Sequence, residues 1–274
     1  MFFQDFRHFL PQQPRLTIAV VGDIMIDQYI QGVVKRMAPE STALHPVPIL
    51  SETTSHPILG GTSFVARILA DLGVETHLCG VVGDDATAIM ARQIAQSHNI
   101  HCGGVFTDNT RPTSLKQRYQ PNTTDIMLRV DDEKTHPISD DIATSIGNYL
   151  SSIPNLSAII VSDYGKGVVT DHLMNFVRDV AAAKQIPVLI DPKGSDWHKY
   201  RGADVITPNK RELEDVARAP IPDDNIMSTA RALLKQHDLK SILVTRSEDG
   251  MDLITPTNHV HHDSLVTKVI TVIN

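Results

Sequence analysis

Two hydrophobic periods alternate along most of the chain. Residues 16–21 form an apolar-rich run that stops abruptly at Gly22-Asp23, which predicts a buried strand. After Gly60-Gly61, the residues Val65, Ile68, Leu69 and Leu72 recur at helical spacing. Residues 76–82 predict a second strand, and residues 84–97 a helix with Asp84 or Asp85 near its start. Ser139 caps a predicted helix that places Ile142, Ile146 and Leu150 on one face. The second half is more regular. Strands are predicted at 158–161, 188–190, 204–207, 242–245 and 251–254, and helices at 171–184, 210–217 and 226–236. Such alternation predicts an α/β fold: a doubly wound, mostly parallel sheet flanked by helices. Residues 29–50 and 113–131 break the rhythm. They are rich in β-branched and polar residues without helical period, and predict antiparallel strands outside the main sheet, forming a small β lid. Residues 219–224 read as a loop and no internal repeat is visible, so residues 1–274 are expected to be one domain.

The length of 274 residues suits that fold, and 41% hydrophobic with 21% charged residues is ordinary globular composition. A net charge of −7 argues against a nucleic-acid surface. The first ten residues carry Asp5, Arg7 and His8 among their phenylalanines, and no apolar stretch approaches membrane-spanning length. The expectation is a soluble cytoplasmic protein with neither nucleic acid nor membrane among its partners. Phe2, Phe6, Phe9 and Leu10 share a predicted helical face that packs on the chain's own core or on another subunit. Cys79 and Cys102 provide neither metal spacing nor a disulfide framework, and Cys79 reads as a buried reduced thiol.

Ligands of parallel sheets gather beyond the carboxyl ends of the strands. Polar clusters fall at five such predicted ends: Asp23 and Asp27, Asp163 to Lys166, Asp191 to Lys193, Asn209 to Glu212, and Thr245 to Ser247. The first strand is followed by Gly22-Asp23-Ile24-Met25-Ile26-Asp27 without G-x-G-x-x-G, and G-x-x-x-x-G-K-[ST] occurs nowhere. A Rossmann dehydrogenase and a P-loop kinase are thereby disfavoured.

The strings VVGDIMID (20–27), the pair Gly60-Gly61, SDYGKG (162–167), IDPKG (190–194), TPNKRELE (207–214) and LVTRSEDGM (243–251) occur in this order. Together they resemble the PfkB (ribokinase-like) carbohydrate kinase family over about residues 16–254. SDYGKG, IDPKG and VTRSEDGM resemble most its bacterial D-glycero-β-D-manno-heptose 7-phosphate kinase branch. The resemblance implies a ribokinase-like fold, with ATP and Mg²⁺ as cofactors. It also implies transfer of the γ-phosphoryl group to the anomeric hydroxyl of a heptose 7-phosphate, a step towards ADP-heptose and lipopolysaccharide.

By that resemblance Asp27 binds paired sugar hydroxyls, since one carboxylate accepts two hydrogen bonds. Gly60 and Gly61 let backbone approach the ligand at a helix start. Lys116, Arg118 and Arg129 hold the sugar phosphate, although lysine and arginine on lid strands also serve solubility. Asp163 and Lys166 border the sugar cleft, and Lys193 is a candidate to stabilise charge on the transferring phosphoryl group. Asn209 and Glu212 organise the nucleotide, Glu212 reaching Mg²⁺ through water; the same pair is also good helix-capping chemistry. Thr245 and Arg246 face the nucleotide. Pairing of lid strands between two copies is a further implication. His259, His261, His262 and Asp263 match no metal spacing and read as surface residues.

Two departures accompany the resemblance. Phe64 stands where the family has a sugar-binding asparagine, which removes a hydrogen bond worth about 1 kcal/mol. The family's D-V-T-G-A-G-D string, which opens an anion hole and ends in the catalytic base, is absent, and the corresponding stretch reads Val269-Ile270-Thr271-Val272-Ile273-Asn274. Loss of a base costs about 10²–10⁴ in rate. The expectation is therefore a domain C-terminally incomplete as a kinase, with very low turnover. The alternative is a catalytically silent chain that binds sugar phosphate or nucleotide.

Overall fold

A computed structural model describes residues 16–121 and 125–264. The expected Phe2, Phe6, Phe9 and Leu10 face and the stretch 269–274 lie outside the described residues.

Nine strands form the large sheet among the described residues. From one edge they run β5 (His101–Thr107), β4 (Glu75–Val82), β1 (Thr17–Gly22), β8 (Leu156–Ser162), β9 (Val188–Asp191), β10 (Val205–Ile206), β11 (Ile242–Thr245), β12 (Met251–Ile254) and β13 (His259–His262). All neighbours from β5 to β11 pair parallel, and β12 and β13 close the far edge antiparallel. The alternation of β1 shows why the sheet is wound on both sides. Ala19 and Val21 enter one core, with Ile146, Leu150, Leu173 and Val177. Ile18 and Val20 enter the other, with Ala66, Leu78, Ala91 and Ala95.

The first core is covered by α3 (Asp140–Ser152), α4 (Asp171–Lys184), α5 (Lys210–Ala217) and α6 (Ile226–Gln236), and the second by α1 (Thr62–Asp71) and α2 (Ala86–Ser97). Helix starts follow capping chemistry. Asp85 accepts from the Ala88 N–H at 2.7 Å, Ser139 from Ile142 at 3.3 Å and Thr170 from Leu173 at 3.1 Å.

The lid is a separate sheet in the order β3 (Pro48–Gly61), β2 (Ile24–Met37), β6 (Ser114–Pro121) and β7 (Leu128–Asp132). It is mixed, correcting the all-antiparallel expectation, because β2 and β6 pair parallel. The chain path explains this: β1 and β5 run in the same direction, and β2 and β6 leave the same end of the large sheet. The lid also reaches deeper than its polar composition implied. Ile24, Ile26 and Leu59 at its root are buried in the second core.

Among the described residues no helix is long and apolar enough to cross a membrane. Cys79 and Cys102 are free thiols, and burial pushes that of Cys79 far above its ordinary range.

Candidate active site

Strand register brings the predicted polar ends together. Gly22 lies opposite Ser162, Ser162 opposite Asp191, and Asn209 bridges Thr245. A Cβ on Gly22 would lie 2.0 Å from the Ser162 carbonyl oxygen, so only glycine permits this approach. Asp23, 1% exposed, accepts the backbone N–H groups of Tyr164 at 2.7 Å, Lys166 at 3.2 Å and Val168 at 3.2 Å. It pins the SDYGKG loop to the end of β1. Burial and the nearby Asp163 push its carboxyl group above the usual range, against the pull of the three N–H donors.

Asp163 was expected at the sugar cleft, but its carboxylate is engaged from inside the protein. It accepts from the Lys199 ammonium at 2.5 Å, the Tyr200 hydroxyl at 2.7 Å and the Gly165 N–H at 2.7 Å. The Tyr200 oxygen in turn accepts the Lys193 N–H at 3.1 Å. Asp163 thus holds the two loops in place rather than presenting an open carboxylate. Lys199 and Tyr200 were not foreseen; they lie in a segment without periodicity.

On the lid, Asp27 is opposite Lys116, Lys116 opposite Asp131, and Tyr29 and Arg129 flank Arg118 in one row. Residues in register and two apart share a face, so these side chains form one surface. Asp27 and Arg118 form an ion pair, and the Arg118 guanidinium lies 5.2 Å from the Tyr29 ring centroid. Gly60 makes room for the carboxylate, because a Cβ there would meet Asp27 Oδ2 at 2.2 Å. Gly61 turns the chain into α1 with φ 53°. Arg129 is bound by Asp131 at 2.7 and 2.8 Å. Lys166 pairs with one oxygen of Glu133, and Lys116 stands 3.8 Å from the other. Burial lowers the affinity of Lys116 for its proton. Glu133 thereby joins the SDYGKG loop to the lid, and nothing in the run Asp131-Asp132-Glu133-Lys134 distinguishes it from a solvated charge cluster. Phe64 occupies the first turn of α1, 42% exposed.

The tips of β10 and β11 border an open hollow of about 580 Å³ lined by Asn209, Lys210, Arg211, Thr245, Arg246 and Ser247, among others. Its volume falls in the range of small-molecule sites. Asn209 and Glu212 form a full capping box: the Glu212 N–H donates to Asn209 at 2.9 Å and the Asn209 N–H to Glu212 at 3.0 Å. The second oxygen of Glu212 lies 3.5 Å from the Lys193 ammonium. Arg246 is anchored to Asp252 at 3.1 Å and to Asp223 at 3.2 Å, so its guanidinium braces the hollow's wall. Beside Glu212, the Asp191 carboxyl group is pushed up to about 6 by burial and then by Glu212, against Lys193. Burial first, then Asp191 and Asp27, raise the Tyr164 phenol. Asp191 and Glu212, near enough for one to raise the proton affinity of the other, are oxygen ligands of the kind a hard cation such as Mg²⁺ takes.

The raised value of Asp191 gives a signed prediction. The folded chain binds this proton more tightly than the unfolded chain, whose ordinary value is 3.8. The contribution of this group to stability is therefore full below about pH 4 and is lost as pH rises to about 6. Above that, Asp191→Asn is expected to stabilise by about 1–2 kcal/mol after solvent screening. Thermal melts of both proteins from pH 4 to 8 check this: the variant should melt higher at pH 7.5 and lack the decline.

A doubly wound sheet with a small β lid over one end of its strands defines the architecture, and solved structures share it. Arabidopsis thaliana ribokinase complexed with ribose and ATP superposes with a TM-score of 0.66 at 17% identity, over 94% of this chain and 81% of that one. Escherichia coli phosphofructokinase-2 in its tetrameric inhibited form gives 0.69 at 15% identity, over 92% and 81%. The fold is ribokinase-like.

Residues 15–273 match the pfkB family carbohydrate kinase profile, and the chain belongs to that family. Curated relatives include Bifunctional protein HldE of Helicobacter hepaticus, 37% identical over 246 residues, covering 89% of this chain and 50% of that protein. Bifunctional protein HldE of Geobacter sulfurreducens is 37% identical over 249 residues, with 90% and 50% coverage. The chain spans about half the length of these relatives.

Proposed function

We propose that the chain transfers the γ-phosphoryl group of ATP to the anomeric hydroxyl of a heptose 7-phosphate, as one ribokinase-like domain with its lid over the sugar. The observation that carries this reading is the lid face on which Asp27 meets Lys116, Arg118 and Arg129. A carboxylate for hydroxyls beside cations for a phosphate is the chemistry of a phosphorylated polyol.

Asp27 accepts two sugar hydroxyls in place of Arg118, and the released guanidinium turns to the phosphate with Lys116 and Arg129. The Gly60-Gly61 backbone approaches the sugar, and Lys166 closes the cleft from the SDYGKG loop. The nucleotide lies in the hollow at Asn209, Thr245 and Arg246. Glu212 would hold Mg²⁺ through water, which supplies neutralisation of the phosphate oxygens. Lys193, exposed beside Glu212, offsets charge on the group in transfer. A reaction fed by ATP and a sugar phosphate belongs in the cytoplasm. On the outer lid face Leu128 and Val130 are exposed, and two copies pair there in this reading.

The proton of the attacking hydroxyl needs an acceptor. Phe64, exposed in the first turn of α1 where the family has a sugar-binding asparagine, favours a second reading, a chain that binds its ligands without transfer. ATP consumption measured with heptose 7-phosphate, with unphosphorylated heptose and with no sugar separates the two. Turnover only with the phosphorylated sugar supports the kinase. Binding of both ligands by calorimetry without turnover supports the silent binder. ATP hydrolysis indifferent to sugar contradicts both.

A further inference from the structure

A second cluster lies at the other end of the large sheet. The length of β4 separates it from the candidate active site by about 25 Å, at roughly 3.3 Å per residue. Glu75 and His77 are two residues apart at the start of β4 and therefore share a face. His101 opens the edge strand β5 directly opposite His77. Glu75 Oε1 stands 3.8 Å from Nε2 of His77 and 3.8 Å from Nε2 of His101. One ligand atom from each of the three lies within 4.8 Å of the others, and the two imidazole rings stack at 4.5 Å. These separations are too long for hydrogen bonds. Ligand atoms held at about 2.1 Å around a tetrahedral cation stand roughly 3.4 Å apart, so the two distances to Glu75 would close by about 0.4 Å and the third, at most 4.8 Å, by up to about 1.4 Å as the exposed His101 ring turns.

An independent anomaly points to the same place. His77 is 8% exposed, yet its Nε2 has no hydrogen-bond partner. Buried ring nitrogens are normally satisfied. Its Nδ1 lies 2.8 Å from the Tyr149 hydroxyl. With Nδ1 donating to that oxygen, Nε2 carries a lone pair aimed between Glu75 and His101, the way outer partners orient metal-binding histidines. Tyr149 is itself fixed, because Gly103 and Gly104 leave space for its ring: a Cβ on either would lie 2.6 or 2.7 Å from it. Thr17 donates its hydroxyl to Glu75 Oε2 at 3.4 Å, which leaves Oε1 for the cluster. His101 and Glu75 border an open hollow of about 410 Å³ that also touches His98 and Asn99, an entry path from solvent.

We propose that Glu75, His77 and His101 form a binding site for a borderline divalent transition metal of the zinc class, with a fourth position open to water. Two imidazoles and one carboxylate suit such ions, whereas Mg²⁺ and Ca²⁺ favour all-oxygen shells. The bound ion clamps edge strand β5 to β4. This goes beyond the kinase reading and does not depend on it.

The test is calorimetric titration of ZnCl₂ into the full chain after metal removal by a chelator and its dialysis. Wild type is expected to bind one ion tightly, and at zinc 100-fold above its Kd to gain about 5–10 °C in Tm. His101→Ala and Glu75→Gln are expected to weaken binding by at least about 100-fold, since loss of outer partners alone costs 10–100-fold. The double variant His259→Ala, His261→Ala, which removes histidines paired with Asp252, should bind zinc as wild type, and Mg²⁺ should not compete with zinc for the site. Absence of saturable zinc binding, or binding that survives His101→Ala or disappears in the double variant, overturns the proposal. Should the variants fail to fold, Co²⁺ in the wild type decides. The intense visible absorption of a four-coordinate ion supports the site, and the pale spectrum of the aquo ion refutes it.

Discussion

Asp27→Ala is expected to lower affinity for heptose 7-phosphate by about 10²–10³-fold while leaving ATP affinity within about twofold. The carboxylate would lose two hydrogen bonds to sugar hydroxyls, each worth about 1.5–3 kcal/mol for a charged acceptor. Freeing Arg118 from its pair with Asp27 returns part of this to phosphate binding, so a net of about 3–4 kcal/mol remains. The Asp27 side chain is mostly covered by Arg118 and the backbone of Gly60, but it anchors no helix or loop. Calorimetry with each ligand separately makes the comparison. Unchanged sugar-phosphate affinity would remove Asp27 from the site. Equal losses for both ligands would indicate damage to the fold.

Asp23→Ala is expected to be the most destabilising single change among the strand-end acids. It removes the acceptor of three buried backbone N–H groups, from Tyr164, Lys166 and Val168. Orphaned donors cost about 1–3 kcal/mol each. Relief of a carboxyl group whose burial already raises its proton affinity offsets part of that sum. A net of about 3–4 kcal/mol corresponds to roughly 10 °C in Tm for a chain of this size. Calorimetric melting measures the loss, and hydrogen exchange at residues 164–168 shows whether the loop opens first. Because Lys166 rides on this loop, sugar-phosphate affinity falls with it. A melting temperature within about 2 °C of wild type would show that the loop is held by other contacts.

The architecture was largely legible because β1, β4 and β8 are mostly buried and carry apolar runs such as Ile18–Val21, Leu78–Val82 and Ala158–Val161. Helices 171–184, 210–217 and 226–236 match their predicted limits, since the caps Thr170 and Asn209 and the αL residues Gln185 and Arg218 mark several of the ends. β5 escaped notice because its Gly103-Gly104 pair serves the ring of Tyr149, a contact across more than forty residues that no local pattern encodes. β13 escaped as a polar edge strand whose His259 and His261 both bind Asp252.

The site was legible in outline but not in the fate of each acid. Asp23, Asp27, Asp163 and Asp191 look alike in sequence, as strand-end carboxylates after apolar runs. The protein itself engages them differently: Asp23 by buried backbone donors, Asp163 by Lys199 and Tyr200, and Asp27 by Arg118 on the lid face. Glu212 serves as a capping residue and also stands beside Lys193, so the capping role and the proposed nucleotide role use the same side chain. Glu133 and Tyr164 could not be found from the pattern, because their importance comes from what the tertiary fold sets beside them.

A crystal structure of the chain with heptose 7-phosphate and a non-hydrolysable ATP analogue tests the central claim most directly. The account predicts sugar hydroxyls on the Asp27 carboxylate, the 7-phosphate among Lys116, Arg118 and Arg129, and the nucleotide in the hollow at Asn209 and Thr245. A sugar phosphate bound elsewhere, with Asp27 still paired to Arg118, would contradict it.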